Sequence, residues 1–302
     1  MYDILVVGGG VAGLTAALYA RRAGKTVLVV EKNAYGGQIT TSPKVENFPA
    51  FPSISGMELG DLFTAQAQNA GAETEFDEVV SIEKTAEGFV ASTLYGETRI
   101  SKTVIFATGA RPRPLGVEGE DKYVGRGVSY CAVCDGVFHK GGDVAVVGGG
   151  NTALQEALYL ADICKTVTLI HRREQFRADD ALVSQLAKRE NIEVVTPANI
   201  TELEGDGHLS GITVTYTDGR IAYIPVSGLF VAVGHLPENS LFSPWLDQAD
   251  GGYADAKEDC LTKTPGIFVA GDCRSKSVRQ LTTAAADGAV AALAACHYLD
   301  TL

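Results

Sequence analysis

The chain has 302 residues, of which 46% are hydrophobic, and its formal net charge at pH 7 is −12. This length exceeds one ordinary domain of about 100–150 residues and predicts two domains. The negative net charge disfavours nucleic acid as a partner, because the phosphates of nucleic acids bind basic protein surfaces. The chain opens on an apolar strand without a signal peptide, and its longest C-terminal apolar run, 289–296, is too short to span a bilayer. We therefore expect a cytoplasmic protein without a membrane partner.

The first predicted element is a buried strand that leads through a glycine-rich turn into a helix. The turn carries the pattern Gly-x-Gly-x-x-Gly at Gly8, Gly10 and Gly13. The first glycine makes a tight turn, the second lets a pyrophosphate approach the backbone, and the third lets helix and strand pack closely. The pyrophosphate then binds at the positive end of the helix. The next strand ends at Glu31, which can accept hydrogen bonds from an unphosphorylated ribose. This first site suits FAD or NAD.

Two proline-containing breaks divide the rest of the chain. A predicted strand over 98–109 is followed by the break 111–114, and a second break, 234–239, follows a strand over 229–233. A strand over 267–270 and a helix over about 281–298 complete the chain. We therefore predict an α/β fold with two Rossmann-like three-layer dinucleotide-binding domains, the second inserted into the first. The predicted boundaries are 1–113 and 241–302 for the first domain and 114–240 for the second. Paired linkers of this kind permit rotation of one domain against the other.

The strand–turn–helix–strand plan recurs 140 residues later. Here Gly148, Gly150 and Ala153 form the Gly/Ala variant of the nucleotide-binding turn. In the register of Glu31 the second copy has a basic cluster instead of a carboxylate. The cluster consists of His171, Arg172, Arg173 and, one helical turn further on, Arg177. Guanidinium groups bind a 2′-phosphate in bidentate fashion, so the second site is predicted to prefer NADPH. The alternative interpretation of these arginines is a solvated helix start.

Two nucleotide sites of opposite charge in one chain indicate electron transfer between two cofactors. NADPH delivers a hydride, so the group at the Glu31 site must accept a hydride and release its electrons to a further acceptor. FAD meets this requirement and NAD does not. The predicted cofactors are therefore FAD and NADPH.

Cys131 and Cys134 are separated by two residues and followed by Asp135. A structural zinc site needs four ligands and the chain has no second Cys-x-x-Cys, so no metal is expected. A structural disulfide across so short a loop would constrain the unfolded chain little, and suits an oxidising compartment. We favour a redox pair, in which Asp135 supplies or accepts the proton of disulfide exchange. Asp135 has an alternative interpretation as a turn or cap residue before Gly136.

The other four cysteines are isolated along the chain, and we expect them to be small buried apolar side chains. They are Cys164, Cys260, Cys273 and Cys296.

Taken in order, these motifs closely resemble the bacterial low-molecular-weight thioredoxin reductase family over essentially the whole chain. Beside the two glycine turns, the cysteine pair and the basic cluster, the matching segments are Gly36-Gly37-Gln38, Glu46-Asn47-Phe48-Pro49, Ala107-Thr108-Gly109, Gly271-Asp272 and Arg279-Gln280. The resemblance implies an FAD homodimer that takes hydride from NADPH and reduces the disulfide of a thioredoxin. It also implies that Cys134 faces the flavin, that Cys131 attacks the protein substrate and that Asp135 is the acid.

The same resemblance implies which further residues line the cofactors. On the flavin side they are Ala12, Gly37, Gln38, Asn47, Thr108, Gly109, Asp272, Arg279 and Gln280. On the NADPH side they include Asn151 and Thr152 of the second turn. Arg126 and Phe138, which flank the cysteines, would face the docking thioredoxin. Gln155 departs from the family, which often has a glutamate there facing the nicotinamide.

Two other functions are compatible with parts of the pattern. The flavin and disulfide could serve a peroxiredoxin-type or glutaredoxin-like protein, or receive electrons from ferredoxin. The resemblance favours NADPH over ferredoxin as the donor, because ferredoxin-dependent relatives generally lack the arginine cluster. A non-enzymatic NADPH or redox sensor is the alternative from another class, but such a sensor has no need for the cysteine pair.

Overall fold

The computed structural model describes residues 1–42 and 44–302. The strands are β1 (Tyr2–Val7), β2 (Val27–Glu31), β3 (Glu73–Phe76), β4 (Val79–Thr85), β5 (Gly88–Thr93), β6 (Thr98–Phe106), β7 (Ala110–Pro112), β8 (Val128–Ser129), β9 (Asp143–Val147), β10 (Thr166–Ile170), β11 (Ile192–Val195), β12 (Ala198–Glu204), β13 (Gly211–Tyr216), β14 (Ile221–Pro225), β15 (Gly228–Val231), β16 (His235–Pro237) and β17 (Ile267–Val269). The helices are α1 (Val11–Arg22), α2 (Gly56–Asn69), α3 (Glu120–Tyr123), α4 (Ala132–Asp135), α5 (Asn151–Ala161), α6 (Asp180–Leu186) and α7 (Leu281–Asp300).

The chain divides into two compact units. The first unit comprises Met1–Arg111 and Leu236–Leu302, and the second comprises Pro112–His235. The chain crosses between them in β7 and β16, two short strands that pair with each other. The crossings lie slightly earlier than the predicted boundaries, since the second unit begins at 112 rather than 114 and the first resumes at 236 rather than 241.

The first unit is built on a seven-stranded sheet with the order β3-β2-β1-β6-β5-β4, in which β17 also pairs with β6. β6 is long enough to pair twice on one side. Its first residues pair antiparallel with β5, and its last three pair parallel with β17. The central strand β1 is apolar on both faces because the sheet is covered on both sides. Helices α1 and α7 pack on one face, and the second core on the other face includes Phe242 and Leu246.

The second unit has a five-stranded parallel sheet with the order β11-β10-β9-β15-β8. Helices α5 and α6 pack on one face, and the antiparallel sheet β12-β13-β14 shares a core with the other face. Both units are thus layered α/β structures with a parallel strand–turn–helix–strand start, which confirms the predicted fold class. The four isolated cysteines are buried as expected. None of the helices in the described part of the chain has the length and apolar character needed to span a bilayer.

Candidate active site

The first glycine turn joins β1 to α1, and sterics require its glycines. Gly8 has φ of +107°, and a Cβ added there would collide with the Ala107 carbonyl. A Cβ on Gly13 would collide with the Gly8 carbonyl. Gly10 differs, because an added Cβ would meet, among the described atoms, only the Gly37 Cα at 3.9 Å. The open side of the turn therefore lies at Gly10, immediately before the N-terminus of α1.

Glu31 ends β2 beside this turn and is buried. Its Oε2 accepts a hydrogen bond from the Gly9 N–H at 2.6 Å, and its Oε1 accepts one from the Asn33 N–H at 2.7 Å. Each carboxylate oxygen has two acceptor positions, so these bonds orient Glu31 and leave acceptor capacity for a ligand. The carboxylate is part of the local fold as well as a candidate ligand-binding group.

Several predicted flavin-side residues lie around the first turn. Gly10 forms a bridge with Gly36, which brings the Gly36-Gly37-Gln38 segment to the turn. The Gln38 Nε2 donates to the Ala110 carbonyl at 2.7 Å, next to Gly109. A Cβ on Gly271 would lie 2.8 Å from the Ala12 Cβ, so the Gly271-Asp272 turn is packed against the start of α1.

A second group of predicted residues lies where α7 begins. Gln280 is the N-cap of α7, and its Oε1 accepts a hydrogen bond from the Asn47 Nδ2 at 3.3 Å. The Arg279 guanidinium stacks over the Tyr253 ring at 4.1 Å from its centroid. The Arg279 Nε is buried and has no hydrogen-bond partner among the described residues. A buried donor of this kind is well suited to a ligand that supplies an acceptor.

Asp272, which is partly exposed, adjoins a cluster of buried charges that the sequence did not reveal. Lys276 lies 3.2 Å from Asp272 and 3.1 Å from Asp287, and Asp287 also pairs with Arg274 at 2.7 Å. Asp287 further accepts the Gly271 N–H at 3.0 Å. Burial opposes ionisation of Asp287, but the hydrogen bond from Arg274 and the charge of Lys276 outweigh it and lower its pKa. This cluster fixes the turn that carries Asp272.

Asn239 is a further residue that the sequence did not reveal. It is almost fully buried and donates from Nδ2 to the Cys273 carbonyl at 2.7 Å. Its Oδ1 accepts a hydrogen bond from the Thr108 Oγ1 at 3.3 Å. Asn239 thus joins two predicted flavin-side segments within the first unit, although the sequence assigned residue 239 to the inserted domain.

The second glycine turn repeats the first within the second unit. Gly148 has φ of +153°, and a Cβ added there would collide with the Ala232 carbonyl. The equivalent Cβ on Gly8 would collide with the Ala107 carbonyl in the same way. Gly150 is the N-cap of α5, and a Cβ on it would meet no described atom within 4 Å. Asn151, the first residue of α5, exchanges hydrogen bonds with Asp179 at 2.8 and 3.0 Å. Thr152 follows it as an exposed residue and Ala153 is buried.

The basic cluster follows β10 and is partly organised by the turn. His171 is buried, and its ring stacks on Phe176 with the centroids 5.7 Å apart. Burial and the neighbouring arginines lower the pKa of His171, and its Nε2 has no partner among the described residues. The Arg177 N–H donates to the Gly149 carbonyl at 2.6 Å. Arg172, Arg173 and Arg177 are exposed and line one depression together with Pro197 and Thr217.

One expectation about this cluster is wrong. The sequence placed Arg177 one helical turn after Arg173, but residues 171–179 form a loop and the next helix, α6, begins at Asp180. The loop forms because its backbone bonds to the glycine turn through Arg177 and Asp179 rather than to itself. The arginines share one depression nonetheless.

Cys131 and Cys134 form a disulfide in the second unit. Cys131 is the N-cap of the short helix α4, and its Sγ accepts a hydrogen bond from the Cys134 N–H at 3.2 Å. The segment that follows packs on α5, since a Cβ on Gly136 would meet the Leu160 side chain at 2.8 Å. Both cysteine residues are partly exposed, as exchange with another disulfide requires.

Asp135 ends α4 and is partly buried. Its Oδ2 accepts a hydrogen bond from the Ser129 Oγ at 2.6 Å, and the same Oγ accepts the Cys131 N–H at 3.1 Å. Burial raises the pKa of Asp135, and the Ser129 hydrogen bond and the charge of His139 offset part of the increase. A carboxyl with a raised pKa beside a disulfide can hold a proton at higher pH than usual. Ser129 had no signal in the sequence.

Apolar residues close to the disulfide in sequence are exposed. Val133, Val137 and Phe138 are 44–49% exposed, and apolar surface of this kind suits contact with another protein. Arg126 is exposed, and its carbonyl accepts the Leu209 N–H.

The features of the two units define a class of protein: an α/β oxidoreductase with two glycine turns of the dinucleotide-binding kind and a Cys-x-x-Cys disulfide. The family model "Pyridine nucleotide-disulphide oxidoreductase" matches residues 2–288. The thioredoxin reductase of Listeria monocytogenes is 40% identical over all of this chain and 95% of its own length. That of Bacillus subtilis is 37% identical over all of this chain and 96% of its own. The crystal structure of thioredoxin reductase from Streptococcus pyogenes matches with a TM-score of 0.93 at 37% identity, covering 100% of this chain and 99% of the other.

The chain therefore belongs to the pyridine nucleotide-disulphide oxidoreductase family. It is a flavoprotein disulfide reductase that uses a flavin and a pyridine nucleotide. The resemblance to thioredoxin reductases that the motifs indicated is confirmed, and the sensor and ferredoxin alternatives are not favoured.

Proposed function

We propose that this protein is an NADPH-dependent thioredoxin reductase that uses FAD. The observation that carries the proposal is the partly exposed Cys131–Cys134 disulfide beside Asp135, in the same unit as the basic nucleotide turn. Its similarity over the full length to proteins named thioredoxin reductase supports thioredoxin as the substrate.

FAD fits the first unit. The open backbone at Gly10 and the N-terminus of α1 suit a pyrophosphate, and Glu31 suits the ribose hydroxyls. The buried, unpartnered Arg279 Nε supplies a donor for an acceptor atom of the cofactor. The residues that would hold FAD are Gly8, Gly10, Ala12, Gly13, Glu31, Gly37, Gln38, Asn47, Thr108, Gly109, Asp272, Arg279 and Gln280.

NADPH fits the second unit. Its pyrophosphate would lie at the open Gly150 and the N-terminus of α5. Three exposed guanidinium groups around one depression match a 2′-phosphate, which a carboxylate at this position would repel. The residues that would hold NADPH are Gly148, Gly150, Asn151, Thr152, Ala153, His171, Arg172, Arg173 and Arg177.

When bound, NADPH supplies a hydride and FAD passes the electron pair on to a disulfide. Cys134 would receive the electron pair, which breaks its bond to Cys131; with two protons, one by way of Asp135 and one from solvent, the pair becomes a dithiol. Cys131 then attacks the disulfide of thioredoxin through its thiolate, and Cys134 resolves the mixed disulfide. Asp135 holds the proton exchanged with the sulfurs, which its raised pKa allows, and the hydrogen bond from Ser129 orients its carboxyl group. The exposed Val133, Val137 and Phe138, with Arg126, would contact thioredoxin.

We also propose a cytoplasmic homodimer. Four buried cysteines without disulfides suit a reducing compartment. The dimer rests on the family resemblance, and sedimentation of the purified protein would test it by giving either about one or two chain masses.

The test of the function is anaerobic reduction of the organism's own thioredoxins with NADPH and with NADH as donors. We expect the flavin to bleach with NADPH and thioredoxin to be reduced. In the double variant Cys131→Ser/Cys134→Ser we expect the flavin still to bleach while thioredoxin reduction falls by more than about 1,000-fold, because the thiolate is the nucleophile. Cys296→Ala, far from the pair in sequence and buried, is the control. A flavin that stays oxidised with NADPH would remove NADPH from the scheme.

A further inference from the structure

A partly buried glutamate on α5, Glu156, contacts the segment between the redox cysteines. The Glu156 Oε1 accepts a hydrogen bond from the Ala132 N–H at 3.3 Å, and Ala132 is fully buried. The other oxygen, Oε2, is buried and has no hydrogen-bond partner among the described residues. Because α4 begins at Ala132, Glu156 bonds the first residue of the helix that carries Cys134.

Stability alone does not account for an acid at this position. Burial raises the pKa of Glu156 to about 7, and the Ala132 N–H offsets only part of that effect. A buried carboxylate with one bonded and one unbonded oxygen is costly, whereas the amide of a glutamine could accept the same hydrogen bond without a charge. We therefore ask how the charge of the Glu156 carboxylate affects the two cysteines.

The charge of Glu156 acts on the reduced form of the pair. Reduction places negative charge on a sulfur of Cys131 or Cys134 whenever a thiol ionises, but the disulfide is neutral. A carboxylate bonded to the backbone between the two cysteines repels that thiolate. It also occupies the Ala132 N–H, which would otherwise favour negative charge nearby. At a pH where Glu156 and one of the two thiols are ionised, both effects disfavour the reduced form relative to the disulfide, and a reduced pair so disfavoured is a stronger reductant.

We propose that Glu156 is a positioning residue of the redox pair, which holds the Cys131–Cys134 loop through Ala132 and makes the dithiol a stronger reductant. The inference deepens the proposed function and rests on it for the role of the cysteines. It concerns the equilibrium between disulfide and dithiol rather than the identity of the substrate.

The measurable step is exchange with a reference dithiol such as dithiothreitol. Two electrons pass from the reference dithiol, which closes its own disulfide, to the Cys131–Cys134 bond, which breaks. The two protons released by the reference dithiol go to the protein sulfurs. When one sulfur remains a thiolate, its proton goes to the Glu156 carboxylate or to solvent. The position of this equilibrium gives the reducing strength of the pair.

The experiment compares wild type with Glu156→Gln, which keeps the acceptor and loses the charge. The flavin-loaded protein is equilibrated in dithiothreitol buffers without NADPH or thioredoxin, at a pH of about 8.5, where Glu156 and part of the thiols are ionised. The reduced fraction is trapped by alkylation and read by mass. We expect Glu156→Gln to shift the equilibrium toward the dithiol by about three- to tenfold, the effect of half to one pKa unit of interaction. Tenfold corresponds to about 30 mV. Glu190→Gln, the same change at an exposed site of the unit, is the control and should not shift it.

A role limited to hydrogen bonding predicts a different result. In that case Glu156→Gln matches wild type and only Glu156→Ala, which loses the acceptor, alters the protein; this outcome would overturn the proposal. Glu156→Met, neutral and of similar length, should shift the equilibrium in the same direction as Glu156→Gln and guards against a folding defect in one variant. If Glu156→Gln shifts the equilibrium as expected but wild type reduces no thioredoxin, the proposed function fails and this inference stands.

Discussion

The carboxylate of the first unit and the guanidinium groups of the second occupy corresponding ends of a β-strand but differ in burial. Glu31 is buried and bonded to the Gly9 and Asn33 N–H groups, whereas Arg172 and Arg173 are exposed. The same contrast holds around each turn, because the first unit also buries the charges of Arg274 and Asp287. Charges beside the first turn therefore serve the fold as well as the ligand, whereas Arg172 and Arg173 beside the second turn are left for the ligand. Substitutions should separate these two uses.

The largest effect should follow from Asp287→Asn. This change leaves Arg274 and Lys276 buried beside a neutral amide, and removing one partner of a buried ion pair costs about 3–5 kcal/mol. Urea unfolding followed by the fluorescence of Trp245, the single tryptophan, reports on the first unit. We expect the midpoint to fall strongly.

The control for this change is Asp300→Asn at the end of α7. Asp300 is exposed and pairs with Lys25, so its loss should cost no more than about 1 kcal/mol. If the two variants unfold at the same urea concentration, the charges of the first unit do not serve the fold and the contrast between the units fails.

The next effect concerns ligand selectivity in the second unit. Replacing Arg172, Arg173 and Arg177 with alanine should lower the preference for NADPH over NADH by about 100-fold, since each lost charge-assisted bond is worth about 1.5–3 kcal/mol and solvent screening reduces the sum. The ratio of kcat/KM for the two donors measures it. Stability should change by less than about 0.5 kcal/mol, as expected for exposed side chains. A large loss of stability with unchanged selectivity would contradict the comparison.

The parts of the fold that sequence predicted are those encoded locally. Both glycine turns lie between a buried strand and a helix, and the last helix, predicted over about 281–298, is α7, Leu281–Asp300. Steric demands at positions such as Gly8 and Gly13 act between near neighbours and leave a readable pattern. The loop at 171–179 was missed because its shape depends on a bond from Arg177 to Gly149, which no helical or strand periodicity records.

The parts of the site that sequence missed depend on contacts between distant segments. Asn239 bonds Thr108 across 131 positions, and Glu156 bonds Ala132 across 24. A lone asparagine or glutamate carries no motif, so its partner becomes visible only once the chain is folded. Glu156 left one weak signal in the sequence. It is a carboxylate on a helix whose core-facing residues are otherwise apolar, and it follows Gln155, which stands where the family often has a glutamate.

The smallest effect should come from Ser129→Ala. This substitution tests whether Asp135 near the disulfide, like Glu31, is held in its charged form by a hydrogen bond from the fold. The substitution removes the hydrogen bond that lowers the pKa of Asp135, so burial should raise that pKa further. Asp135 acts as an acid when protonated, and a higher pKa keeps it protonated to higher pH. The alkaline limb of the pH profile of thioredoxin reduction should therefore move to higher pH by less than about one unit, since one neutral hydrogen bond is worth about 1 kcal/mol.

The control is Asp135→Asn, which removes the titrating group and should abolish the alkaline limb both in wild type and in Ser129→Ala. A limb that moves to lower pH in Ser129→Ala would mean that Ser129 stabilises the neutral form of Asp135. Asp135 would then resemble neither Glu31, whose carboxylate is hydrogen-bonded by the fold, nor the exposed arginines.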